Sequence, residues 1–155
     1  MKTKLVFVAL VLIFAVAVPM TFATGVGVAV GIDPLGGLPG SNVMLSLKVD
    51  QIPFLMGIGF AIGQDTFQFG LTGDYWVLNA NLFSFVNYYL GPGFYVGYAN
   101  DLVLGGRLPI GLNAYPIDNL ELFVELAPTL AVGIGEPIRF PVFGIQGAFG
   151  LRFWF

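Results

Sequence analysis

The chain has 155 residues, 57% hydrophobic and only 10% charged, with 22 glycines and 10 prolines. So little charge is foreign to a soluble surface, and so much glycine and proline argues against long apolar helices. With no cysteine and no histidine, the sequence excludes disulfides, Cys/His zinc sites and histidine acid–base chemistry.

The first residues, Met1-Lys2-Thr3-Lys4, are basic, and Leu5 to Pro19 is almost wholly apolar. Thr21-Phe22-Ala23 then offers small residues where a signal peptidase reads, so residues 1–23 are predicted to be a cleaved signal peptide and 24–155 the mature domain. No cysteine follows the apolar run, which excludes a lipid-anchored form. Removing Lys2 and Lys4 leaves four basic and nine acidic residues, and that balance argues against a nucleic-acid partner.

From Gly25 onward no helical period lasts, but a period of two does. In Gly25 to Ile32 the even positions are Val or Ile and the odd ones Gly or Ala. Asp33 to Gly40 reads as a solvated loop from its Gly/Pro content. In Asn42 to Val49 the odd positions are aliphatic, opposite Asn42, Ser46 and Lys48. Phe54 to Gly63 alternates large residues with Leu55, Gly57, Gly59 and Ala61. Phe67, Phe69 and Leu71 oppose Gln68, Gly70, Thr72, Asp74 and Trp76.

Leu78 to Leu82 reads as a connection. Phe83 to Tyr98 is one long aromatic strand, with a bulge expected at Gly91-Pro92-Gly93. Leu104, Leu108, Ile110 and Leu112 oppose Arg107 and Asn113. Leu120 to Val132 sets leucines and valines against Glu121, Glu125, Ala127 and Thr129. The last strand, from about Arg139 to Phe155, alternates Phe149, Leu151, Phe153 and Phe155 with Ala148, Gly150, Arg152 and Trp154.

The prediction is all-β: an eight-stranded antiparallel up-and-down transmembrane β-barrel, since short turns force antiparallel neighbours and sequential hairpins close on themselves. The charges decide its orientation. Lys48, Asp74, Arg107, Glu121, Glu125 and Arg152 all fall on the face of small residues, and the other face carries almost none. A soluble barrel could not leave its exterior so bare, whereas lipid requires it. These six residues are the candidate lumen charge network, paired because isolated charges in a narrow lumen would be costly. Tyr75, Trp76, Tyr88, Tyr89, Tyr95, Tyr98, Tyr115 and Trp154 are expected to form an interfacial girdle.

These features resemble small bacterial outer-membrane β-barrels of the OmpA transmembrane-domain, OmpX and OmpW families and, more loosely, uncharacterised spirochaete-type barrels. The specific motif is the C-terminal Leu151-x-Phe153-x-Phe155. The resemblance implies an outer-membrane location, lipid as the surrounding partner, and an end read by the outer-membrane assembly machinery. The expected function is a structural, charge-plugged, non-enzymatic barrel, possible as a monomer and without cofactor, metal site or catalytic residues. A narrow ion or small-solute pore, and adhesion or host-factor binding through the outer loops, are the alternatives.

Overall fold

A computed structural model describes residues 23–49, 51–61 and 67–155. The expected signal peptide lies outside these residues except for Ala23, and so does Gly63-Gln64-Asp65, a stretch whose residues predict a turn. Among the described residues all regular structure is strand: β1 (Ala23–Ile32), β2 (Val43–Val49), β3 (Leu55–Phe60), β4 (Phe69–Asp74), β5 (Leu78–Phe83), β6 (Val86–Leu90), β7 (Gly93–Tyr98), β8 (Leu102–Arg107), β9 (Ile110–Ile117), β10 (Leu120–Ile134) and β11 (Arg139–Trp154).

Eight of them close a ring, β1-β2-β3-β4-β7-β8-β10-β11, with β11 pairing back onto β1. The other three extend its walls. β4 with β5, β6 with β7 and β8 with β9 are each one long strand with a break, so the chain is an antiparallel up-and-down barrel of eight sequential strands. Paired residues run from Gly25 through Lys48, Leu55, Asp74, Gly93, Arg107, Thr129 and Gly144. One such circuit climbs about ten residues along β1, the stagger that tilted strands need to close a barrel.

The two faces separate as period-two alternation requires. Along β10 every odd residue from Glu121 to Gly133 is buried, while the even residues face outward. On β1, Gly25, Gly27, Ala29 and Gly31 line the lumen, and Val28, Val30 and Ile32 are exposed. The outward apolar surface runs along β11 through Phe143, Ile145, Phe149, Leu151 and Phe153, and on to Phe155.

The breaks fall together across neighbouring strands. Tyr75 N–H donates to the carbonyl of Pro92 at 2.9 Å, Gly91 N–H to that of Pro109 at 3.3 Å, and Leu108 N–H to that of Pro128 at 3.0 Å. Each proline lacks the N–H that would continue the ladder but keeps its acceptor, so the seam costs pairing without opening the wall. The extra residue is not at Gly91-Pro92, where a bulge was expected. Leu90 and Gly93 keep step with Ile110 and Arg107. Opposite them, Tyr75 to Val77 spans the gap between the pairs Asp74↔Gly93 and Leu78↔Leu90 with one residue more.

That bulge reverses the inward phase. Thr72 and Asp74 point inward before it; Asn79 and Asn81, paired with Tyr89 and Asn87, share their face after it. The reversal breaks the alternation in the sequence, and Leu78–Phe83 is therefore strand β5 and not the connection expected there.

Candidate functional site

The lumen holds two stacked clusters. In the outer one, Arg107 from β8 sets Nε 3.1 Å from Asp74 Oδ1 of β4, donates from Nη2 to Glu125 Oε1 of β10, and donates from Nη1 to Gln146 Oε1 of β11 at 2.7 Å. Tyr89 from β6 donates its hydroxyl to Glu125 Oε2 at 2.8 Å.

In the inner cluster, Arg152 from β11 donates from Nη1 to Glu121 Oε1 of β10 at 2.8 Å and from Nε to Ser46 Oγ of β2 at 2.7 Å. Its guanidinium carbon lies 3.8 Å from the Phe123 ring centroid. Trp154 Nε1 donates to Glu121 Oε2 at 2.9 Å, and Asn113 Nδ2 to Oε1 at 2.8 Å. Trp76 joins the layers: it stacks on Tyr89 at 4.2 Å and lies 5.5 Å from Arg152.

Both clusters are sealed. Arg152 is 1% exposed, Glu121 0%, Asp74 3% and Arg107 5%. The five ionisable side chains bring two guanidinium groups to three carboxylates. The remaining anionic charge is met by neutral donors, the Trp154 indole, the Asn113 amide and the Tyr89 hydroxyl, in a medium where an unmet charge would be costly. Between the layers Ser46, Thr72, Phe123, Asp74, Glu125 and Arg152 line a void of about 20 Å³, the room of a single water molecule.

The outer end is closed by the chain itself. Residues Asp33 to Asn42, of which Asp33 to Gly40 were expected as a solvated loop, fold back into the barrel. Asp33 accepts the N–H groups of Leu35 and Leu38 at 3.3 and 2.7 Å. Gly40 takes a φ of +76°, open to glycine at little cost. Leu38, 3% exposed, packs with Tyr95, Val103, Ala131 and Val142. Its seat exists because position 144 is glycine; a Cβ there would overlap the Leu38 side chain. Tyr95 donates its hydroxyl to the Pro39 carbonyl at 2.6 Å, and Gln146 Nε2 donates to Ser41 Oγ at 3.0 Å. Outside this loop is an open cavity of about 760 Å³, bounded also by Gln68, Ala99–Asp101 and Arg139.

Five of the six expected lumen charges thus meet inside. Lys48 stands apart: β2 ends one residue later, and its ammonium donates to the carbonyls of Val49 and Ile52 at 3.1 and 2.6 Å, capping the β2–β3 turn. The girdle expectation fails for Tyr89 and Tyr95, which are 0% and 1% exposed, and for Trp76 and Trp154, whose rings serve the lumen clusters. The small lumen-facing residues leave room for these large rings, and their polar ends find partners there.

Gln146 was not singled out, although it shares the inward phase of Arg152. Leu151, Phe153 and Phe155 are outward and exposed, with Leu151 and Phe153 paired to Val28 and Val26 of β1.

No protein-family model matches the chain, and no curated protein matches its sequence. Among solved structures, the crystal structure of Neisserial surface protein A superimposes with a TM-score of 0.45 at 13% identity, covering 86% of this chain and 97% of that one.

Proposed function

We propose that this chain is a non-enzymatic integral outer-membrane β-barrel, set in lipid as a monomer, with a closed lumen and a structural role in that membrane. The observation that carries the reading is the inversion of polarity. Arg107, Arg152, Asp74, Glu121 and Glu125 are buried inside, while Val, Ile, Leu and Phe dominate the outward faces of β1, β10 and β11. Only a surrounding solvent of hydrocarbon makes such an exterior favourable.

Closure is supported by the two charge clusters, by the 20 Å³ limit of the void between them, and by the seated outer loop. That loop turns inward rather than projecting, which weighs against adhesion through it. The Leu151-x-Phe153-x-Phe155 end is proposed as the segment that the assembly machinery reads. Conductance of the reconstituted protein in a planar bilayer tests closure: the expected result is a silent bilayer with inserted protein. Discrete steps whose ion selectivity changes in Glu121→Gln/Glu125→Gln would replace this reading with a narrow pore.

A further inference from the structure

The outer loop and the buried charges are physically connected. Arg107 is held from one side by Asp74 and Glu125, and from the other it donates to Gln146. Gln146 spends its two amide ends on two different parts of the molecule: Oε1 accepts from Arg107, and Nε2 donates to Ser41 in the loop. Ser41 in turn donates to the Leu38 carbonyl at 3.0 Å, on the residue that fills the seat. The chain Glu125–Arg107–Gln146–Ser41–Leu38 therefore runs unbroken from mid-lumen to the seated residue, across β10, β8 and β11. On its outer side the loop borders the 760 Å³ cavity, room into which Leu38 can swing. Gly36 and Gly40, at φ of +69° and +76°, flank it.

We propose that residues 33–42 are a latch, held shut by the buried charge cluster through Gln146, so that a change at Arg107 or Glu125 opens the outer end. This goes beyond lumen closure, and it rests on that reading only in taking the loop as part of the closure.

The chain has no cysteine, so Leu38→Cys carries the sole thiol, buried while the loop is seated. Labelling by a membrane-impermeant maleimide is measured on the whole protein reconstituted in phospholipid vesicles. Adding Gln146→Met, which keeps the volume and removes both hydrogen bonds, is expected to speed labelling about tenfold, the effect on the open–closed balance of losing the bond to Ser41, the one of the two that joins Gln146 directly to the loop. Adding Glu125→Gln, remote from the loop, is expected to speed it in the same direction. Tyr95→Phe removes a direct loop contact and establishes that labelling reports seating. Ser46→Ala loosens only the inner cluster and is expected to leave the rate unchanged.

If Tyr95→Phe speeds labelling while Gln146→Met or Glu125→Gln does not, the coupling is absent. Equal acceleration by Ser46→Ala would mean general loosening and overturns the latch as well. Neither result bears on whether the seated barrel conducts, which the bilayer measurement reads separately.

Discussion

The inner cluster makes a quantitative prediction about Arg152. Replacing it with methionine keeps much of the volume but removes the 2.8 Å bond to Glu121 and the 2.7 Å bond to Ser46. Glu121 would remain fully buried, with only the neutral Trp154 and Asn113 donors against a full negative charge. Breaking a buried pair from one side costs about 3–5 kcal/mol. Glu121→Gln alone leaves the opposite orphan, a buried guanidinium, and should cost about as much.

The double variant Arg152→Met/Glu121→Gln removes both charges, and the new amide oxygen still accepts from Asn113 or Trp154. It should cost less than the sum of the singles by about 2 kcal/mol or more, within the range of directly contacting pairs. The assay is reversible urea unfolding in lipid vesicles, followed by tryptophan fluorescence. The two tryptophans, Trp76 and Trp154, both lie at this cluster. Additivity within about 0.5 kcal/mol would refute the pairing, because uncoupled sites add to that precision.

Three further outcomes are expected. Leu126→Arg, on the exposed face in the middle of β10, should destabilise the inserted barrel by roughly 2–4 kcal/mol, whereas Thr129→Ser on the lumen face should change it by less than about 1 kcal/mol; equal tolerance in the same unfolding assay would reverse the face assignment. Gly144→Val should overfill the Leu38 seat, costing about 1–3 kcal/mol and exposing residues 33–42 to added protease, and a loop as resistant as the parent's would count against that seat. Deleting Phe155 should lower the amount of protein reaching the outer membrane in cells while barely altering the stability of the refolded barrel, since the ring is exposed beyond the end of β11; unchanged membrane levels would remove the assembly role.

The sequence by itself determined which way most side chains face. On a strand that is a local property: residue i and residue i+2 share a side whatever the rest of the chain does. Glu121, Glu125, Arg107, Asp74 and Arg152 could therefore be assigned to the lumen with no knowledge of their partners. Composition then pointed to the surrounding solvent, because an outward face of Val, Leu and Phe is what a lipid environment favours.

Only the tertiary structure decided who meets whom. Arg152 reaches Ser46 and Gln146 reaches Ser41 across more than a hundred residues of chain. Those meetings depend on the stagger with which β11 returns to β1, a quantity summed over every pair of strands. Lys48 shares the inward phase of Arg152, yet its place one residue from the end of β2 gives it to the turn. The bulge at Tyr75–Val77 hid β5, because a single added residue inverts the pattern by which strands are read. The outer loop was misjudged for a related reason. Its glycines and prolines say that it turns, but the seat that takes Leu38 is built from β7, β8, β10 and β11 and does not exist until the barrel has closed.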